Sequence, residues 1–235
     1  MGLADYRRRR RFGVTPEPSG RETVWRRRAR AFVVQKHRAS HLHYDFRLEW
    51  KGVLLSWAVP KGPSLDPSVK RLAMQTEDHP LAYARFEGVI PEGEYGGGTV
   101  MIWDQGTWVP EQPDVDAGLR AGELKFALKG KKLGGSWVLV RTRGRAGAYG
   151  GRPTWLLIKH RDAAARALDV AVEAPRSVVS RRLLAEIAFH EGGNVEKAAS
   201  GDPPAELERL IRTPSLIAKK RGRKPSVWQS RGANR

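Results

Sequence analysis

The sequence predicts a mainly β protein: a compact antiparallel β-barrel with short flanking helices and basic termini that are expected to be flexible. Three observations predict it. From residue 32 to about residue 162 the chain consists of short apolar runs punctuated by Gly, Pro and Asp, the spacing of strands and tight turns. Helical periodicity is almost absent over that stretch. Closure into a barrel removes the exposed edges that so many short strands would otherwise leave. With 235 residues, 40% of them hydrophobic, and eight Trp against three Met, the chain can build a rigid, aromatic-rich core.

Residues 1–30 read as a basic arm. The run Arg7–Arg11 leads into Thr15-Pro16-Glu17-Pro18-Ser19-Gly20, which has the turn chemistry of an extended linker, and Arg26, Arg27, Arg28 and Arg30 follow. Residues 31–162 form the barrel, with strands expected at Phe32–Lys36, Leu42–Trp50, Val53–Val59, Arg71–Thr76, Gly98–Trp103, Gly106–Val109, Glu123–Lys129, Gly135–Arg141 and Thr154–Lys159. Residues 163–215 read as a linker with short helices. Ser180 is placed to cap one that runs through His190, with Leu183, Leu184 and Ile187 on one side and Gly192-Gly193 ending it. Asp202-Pro203-Pro204 starts a second, with Leu207, Leu210 and Ile211 on one face. Residues 216–235 are a basic tail, in which Lys219-Lys220-Arg221-Gly222-Arg223-Lys224-Pro225 is like the core of an AT-hook and is read as a nonspecific phosphate contact.

The formal net charge is +18, and it is concentrated at the ends. Residues 1–30 carry ten Lys or Arg against three acids, and residues 216–235 carry seven against none, which leaves only +4 on the other 185 residues. A nearly balanced body with two cationic ends suits a polyanion, and nucleic acid is the expected partner. The absence of Cys excludes disulfides and thiolate metal sites, so any metal would be held by His, Asp, Glu or water. No stretch approaches membrane-spanning length and the first residues lack an apolar leader, so no membrane partner and a cytoplasmic location are expected.

Between residues 42 and 50 alternation is unbroken: Leu42, Tyr44, Phe46, Leu48 and Trp50 are apolar, while His41, His43, Asp45, Arg47 and Glu49 are ionisable. Period 2 predicts a strand with one face on the core and the other exposed. His43 and Asp45 share that second face, and His37 reaches them if residues 38–41 turn back. Two imidazoles and a carboxylate fill half an octahedron and leave positions for water and substrate, which points to a catalytic divalent ion. Arg47 continues the face and offers a planar fork to an anionic oxygen. Further along, Pro80 stops a strand where His79 is aimed inward, Tyr83 offers a hydroxyl, and Lys61 lies in the rigid turn Pro60-Lys61-Gly62-Pro63. Pro91 to Gly98 lacks the Lys-Ser/Thr ending of a phosphate-binding loop and reads as a hairpin or barrel corner.

These segments together resemble a known family. Phe32-Val33-Val34-Gln35-Lys36-His37, Leu42-His43-Tyr44-Asp45-Phe46-Arg47-Leu48-Glu49, Ser56-Trp57-Ala58-Val59-Pro60-Lys61-Gly62-Pro63-Ser64, Glu77-Asp78-His79-Pro80 and Phe86-Glu87-Gly88 through Trp103-Asp104 are similar to the 3'-phosphoesterase domain of bacterial and archaeal DNA ligase D. Pro175-Arg176-Ser177-Val178 and Leu184–Ala188 resemble the segment that joins that domain to a ligase domain, and the chain is expected to act as a stand-alone phosphoesterase. The resemblance implies a β-barrel that uses Mn2+ to trim DNA 3' ends, removing a terminal ribonucleoside and then the 3'-phosphate. It implies His37, His43 and Asp45 as metal ligands; Arg47, His79 and Tyr83 around the scissile phosphate; and Gln35, Lys61, Arg71 and Glu77 in support, with Arg10 and Glu17 contributed by the arm. The family arm has an acidic residue before its Phe, where this chain has Arg11 before Phe12, a departure that bears on the ribonucleoside-removing step. Implied partners are primer-template or break ends of DNA, a Ku protein and a separately encoded ligase or polymerase, in a nucleoid-associated setting. The residues alone would also accept Zn2+, Co2+ or Fe2+. They leave two other functions open, a noncatalytic DNA-end-binding module and an Fe(II) oxygenase. The oxygenase is disfavoured because that class draws its second His from a distant strand.

Overall fold

Alternating apolar residues give each strand one inward face, and the strands close around it. The computed structural model describes residues 2–21, 29–142 and 153–212; Arg26–Arg28 and the basic tail lie outside the described residues. The strands are β1 (Ala31–Arg38), β2 (Leu42–Trp50), β3 (Val53–Val59), β4 (Lys70–Gln75), β5 (His79–Pro80), β6 (Gly88–Ile90), β7 (Gly98–Pro110), β8 (Glu123–Gly130), β9 (Gly134–Arg141) and β10 (Thr154–Lys159). Eight form the antiparallel ring β1-β2-β3-β4-β10-β9-β8-β7, which β7 closes by pairing with β1. β5 adds to β3 and β6 to β7, outside the ring.

Phe32, Val34, Tyr44, Phe46 and Leu48 fill the interior together with Trp57, Trp103, Trp108, Trp137 and Trp155. A buried indole needs an acceptor, and four of these five have one: Ala174 O for Trp103, Glu49 O for Trp108, Gly134 O for Trp137 and the Gln75 side chain for Trp155. The two strands expected at Gly98–Trp103 and Gly106–Val109 are one strand, β7. A bulge lets Gln35 pair with Ile102 while Val34 pairs with Asp104, so Trp103 is the extra residue. The inward face then changes from odd to even numbers, which breaks the alternation that a single strand would display.

The helices are α1 (Ala4–Arg8), α2 (Val115–Ala121), α3 (Val170–Glu173), α4 (Leu184–Glu191), α5 (Val195–Ala199) and α6 (Pro204–Arg212). Ser180 does not cap a helix, because α4 begins four residues later. It ends as expected, at Gly192 in the left-handed region. The cap comes from elsewhere: the Asp202 carboxylate accepts from the amides of Leu184 and Ala185 at 3.2 and 2.9 Å. Asp202 also faces Lys36 of β1 at 3.4 Å, and both are buried. Burial pushes the Lys36 ammonium down and the Asp202 carboxyl up, and their mutual attraction opposes both shifts. Thus the helical segment is tied by an ion pair to the strand that carries Gln35 and His37.

A second, smaller core lies on the outside of the ring. Tyr6 of α1, Leu54, Tyr83, Phe86, Ile90 and Val100 bury one another there, so residues 2–21 of the basic arm are docked on the barrel. Among the described residues no helix is long and apolar enough to cross a membrane.

Removing one member of a buried ion pair costs about 3–5 kcal/mol, whereas replacing both by apolar groups is often neutral. Asp202→Ala is therefore expected to lower unfolding stability in urea by about that amount. Lys36→Met combined with Asp202→Ala should recover most of the loss, leaving the roughly 1 kcal/mol of a missing helix cap.

Candidate active site

Hairpin register assembles the site. β1 and β2 pair His37 with His43, Gln35 with Asp45 and Val33 with Arg47, and β3 sets Ser56 opposite Arg47. Paired residues share a face, so these polar side chains form one patch on the outer wall of the barrel. The sequence reads this face as exposed, but Gln35, His37, Asp45, Arg47 and Ser56 are all buried. The arm, the β5 segment with its following 3-10 turn (Leu81–Arg85), and β6 with the turn after it supply a cover whose apolar side chains make the second core.

At one end of the patch, His37 Nδ1 and His43 Nε2 stand 3.5 and 3.7 Å from Asp45 Oδ2. One ligand atom from each residue lies within 4.8 Å of the others, the single such cluster among the described residues. The remaining ring nitrogens are engaged: His37 Nε2 lies 2.9 Å from Gly96 O, and His43 Nδ1 lies 3.0 Å from His41 O. A carbonyl can only accept, so each ring places its N–H on the backbone and turns a lone pair toward Asp45. Burial lowers the His43 pKa against the pull of Asp45, with His37 and Arg47 adding to the effect. Asp45 is held far below the usual carboxylate range: burial alone would raise it, but the Arg47 guanidinium against its Oδ2 outweighs burial. Two imidazole lone pairs and an ionised carboxylate converging on one point fit a divalent first-row ion.

Arg47, 2% exposed, organises the rest. Nε donates to Gln35 Oε1 at 2.8 Å, Nη1 to Ser56 Oγ at 2.8 Å, and Nη2 meets Asp45 Oδ2 at 3.1 Å. Its guanidinium lies 4.9 Å from the centre of the Tyr83 ring and 2.9 Å from His79 Nδ1. His79 Nδ1 is also 2.8 Å from Glu77 O, and Nε2 is 3.2 Å from Arg10 Nη2. Each ring nitrogen faces a guanidinium, which cannot accept, and only Nδ1 also faces an acceptor, Glu77 O, so in the neutral ring Nδ1 carries the hydrogen and Nε2 the lone pair. Burial, then Arg47 and Arg10, push the His79 pKa well below its ordinary value, so the ring is neutral. The Tyr83 hydroxyl donates to Glu17 Oε1 at 3.0 Å, and burial, then Glu17, raises its pKa well above normal.

The arm completes this network. Arg10 Nε binds Glu17 Oε1 at 2.8 Å, and Arg10 Nη1 reaches Glu77 Oε1 at 3.2 Å. Arg9 binds the other Glu77 oxygen at 3.2 Å. Arg11, in the position of the family's acidic residue, forms a two-point ion pair with Glu94 in the turn between β6 and β7. Of the expected residues, the structure brings together His37, His43, Asp45, Arg47, Gln35, His79, Tyr83, Glu77, Arg10 and Glu17. Lys61 is exposed in the turn after β3, near the His43 end of the β2–β3 pair, and among the described residues it makes no hydrogen bond or ion pair with the cluster. Arg71, on β4, pairs with Leu157 of β10, in phase with inward Ala73, and its buried Nε has no hydrogen-bond partner among the described residues.

Three contributors escape a sequence reading. Ser56 is visible only as a lone hydroxyl inside the apolar run Leu54-Leu55-Ser56-Trp57. Arg9 is one of five identical residues. The Gly96 carbonyl carries no side-chain signal, though the crowding around it does: a Cβ at Gly98 would lie 2.1 Å from Arg38 O, which admits only glycine beside β1.

Barrel and cluster define a mainly β domain that carries a two-His, one-carboxylate cluster on its outer wall. Residues 35–141 match the DNA Ligase D 3'-phosphoesterase domain. Through this domain the chain belongs to the DNA ligase D 3'-phosphoesterase family. It is 55% identical over 188 residues to the multifunctional non-homologous end joining protein LigD of Pseudomonas aeruginosa, covering 77% of this chain and 22% of that protein. It is 49% identical over 142 residues to the LigD DNA repair protein of Mycobacterium tuberculosis, covering 60% of this chain and 18% of that protein. For LigD of Mycolicibacterium smegmatis the figures are 43% over 149 residues, 61% and 19%. The chain thus spans about a fifth of the length of these curated relatives.

Neutral His79 makes stability depend on pH. Its folded pKa lies below the unfolded value of about 6.5, so the unfolded chain binds the extra proton and stability falls as pH drops below that value. Urea unfolding between pH 7 and 5 is expected to show a steeper loss in wild type than in His79→Gln, by up to about 1.4 kcal/mol per pH unit. Parallel slopes would mean that the fold leaves the His79 pKa at its unfolded value.

Proposed function

We propose that this protein is a metal-dependent phosphoesterase that processes DNA 3' ends, removing terminal ribonucleosides and 3'-phosphates to leave a 3'-OH for synthesis or ligation in double-strand break repair. The observation that carries this reading is the pair of imidazoles whose backbone hydrogen bonds free one lone pair each toward Asp45. His37, His43 and Asp45 would hold the ion, Mn2+ in our reading, with other divalent transition metals also compatible. When bound, such an ion supplies Lewis-acid polarisation of a phosphate oxygen and offsets its charge.

The other residues prepare the pocket for an anion. Arg47 and Arg10 present fixed positive charge in a site closed to bulk water, where it acts more strongly than at the surface. Gln35, Ser56 and Asp45 hold Arg47 in place, and Glu17 and Glu77 hold Arg10. Tyr83, which keeps its proton and donates it to Glu17, would turn that hydroxyl to a phosphate oxygen only by giving up the Glu17 bond. His79 has no proton at Nε2 and resists gaining one, so it orients Arg10 and the substrate and is not the acid for the leaving oxygen. Lys61, at the rim, would reach inward only when an anion is bound, and Arg71, on the inward face of β4, is kept as a supporting residue on the resemblance alone.

The family and the names of its relatives support the DNA-repair setting, in which Ku and a separately encoded polymerase or ligase would receive the trimmed end in the nucleoid. Purified protein should release phosphate from a 3'-phosphorylated primer, and the terminal nucleoside from a 3'-ribonucleotide primer, with Mn2+ but not with EDTA. His43→Ala or Asp45→Ala should reduce this by about 100-fold or more. Full activity in either variant overturns the metal assignment. Tight binding of DNA ends without processing under any divalent metal would instead establish an end-binding module.

A further inference from the structure

His37 is oriented by a backbone group that its own hairpin does not supply. Its Nε2 lies 2.9 Å from Gly96 O, in the turn between β6 and β7, and a Cβ on Gly96 would stand 3.7 Å from the ring's Cε1. Two successive turns aim that carbonyl. Glu94 N–H donates to Pro91 O at 3.2 Å and Gly97 N–H to Glu94 O at 2.9 Å, with Gly96 inside the second turn at a φ of 79°. Glu94 is thus the joint of both, since its amide closes one and its carbonyl the other.

The Glu94 side chain is only 7% exposed, and among the described residues Arg11 is its one ion-pair partner. Arg11 Nε donates to Glu94 Oε2 at 3.2 Å and Nη2 to Oε1, a two-point pairing that fixes direction as well as distance. Unlike Arg9 and Arg10, which bind Glu77, Arg11 is 72% exposed and its ion pair is with the turn. A surface ion pair contributes little when both partners are exposed, but a buried acid that loses its cation is left uncompensated. Its easiest relief is to swing toward water, and the joint moves with it. We propose that Arg11 is a positioning residue for the metal cluster: through Glu94 it holds the turn whose Gly96 carbonyl keeps the His37 hydrogen on Nε2 and leaves Nδ1 bare toward Asp45. The departure from the family's acidic residue is matched by an acid in the turn opposite, which an acid at position 11 would repel. This inference rests on the metal assignment above.

The test uses the full-length protein. Binding of Mn2+ alone is followed by the EPR signal of the free ion, and the histidine rings by 15N NMR without metal at about pH 8, where ordinary imidazoles are neutral. Arg11→Glu should weaken Mn2+ binding about 10-fold, the lower end of what the loss of a group that orients a ligating imidazole costs. It should also shift the His37 signal from the Nε2–H form toward a mixture of tautomers. Adding Glu94→Arg restores an ion pair of reversed order and should recover most of the affinity and the wild-type signal. An unchanged Kd in Arg11→Glu overturns the proposal. So does a weaker Kd with an unchanged His37 signal, because Arg11 would then act elsewhere, and so does a loss that the reversed pair leaves in full. Failure of the wild type to bind Mn2+ or another divalent ion would condemn the metal assignment, while the tautomer signal would still decide whether Arg11 orients His37.

Discussion

A guanidinium withdrawn from water must find acceptors for its hydrogens, and the placement of Arg47 on the outer wall of the barrel makes this demand the organising constraint of the molecule. One strand cannot meet it. Gln35 comes from β1, Asp45 from β2 itself and Ser56 from β3, so three adjacent strands must hold register to within one residue. Slippage by one position would turn His37, His43 and Asp45 inward and leave the charge unmatched. The apolar interior fixes the same register from the other side of the wall, because Val34, Phe46 and Trp57 alternate with these polar residues. Core and site therefore specify one another through the two faces of the same three strands.

Burial of Arg47 also requires a cover. Tyr83 and His79 close over it, and their positions depend in turn on the arm: Tyr6 packs edge-on against both rings, and Arg10 links Glu17 to Glu77 and His79. An Arg-rich segment at the chain's beginning is thus partly a structural element. Arg9, Arg10 and Arg11 each satisfy a carboxylate of the cover, which leaves Arg7 and Arg8 as its more peripheral charges. The ion pair of Lys36 with Asp202 does the equivalent for the opposite face of β1, fastening it to the helical segment.

Physical range decides how much of this was legible in the sequence. The alternation from Leu42 to Trp50 depends on nearest neighbours, so both the strand and the shared face of His43, Asp45 and Arg47 could be read directly. His37 joined them because a short turn forces a hairpin. The bulge at Trp103 defeated the same logic, since one extra residue reversed the phase and split β7 in two. Helix α4 showed its end through Gly192, a local cue, and concealed its start, whose cap arrives from Asp202. The docking of the arm had no local cue: Arg10 meets Glu77 and His79 across almost seventy residues, and the pattern Thr15-Pro16-Glu17-Pro18 suits a linker as well as it suits a buried carboxylate. The resemblance placed Arg10 and Glu17 near the site, whereas periodicity could not.

Charge balance then links the cover to the chemistry. Arg9, Arg10 and Arg47 supply three positive charges, and Glu17, Glu77 and Asp45 supply three negative ones in direct contact with them. Without a cation these six cancel, and the pocket has no net attraction for a phosphate despite its three arginines. A divalent ion held by His37, His43 and Asp45, as proposed, would add two positive charges, close to the ≈ −1.5 to −2 of a phosphomonoester near neutral pH. On this reading the arginines are held and paired so that they orient an anion, and a metal would supply the charge that attracts it. The carboxylate of Asp45 joins the two functions, since the oxygen that faces both imidazoles is also the one that accepts from Arg47.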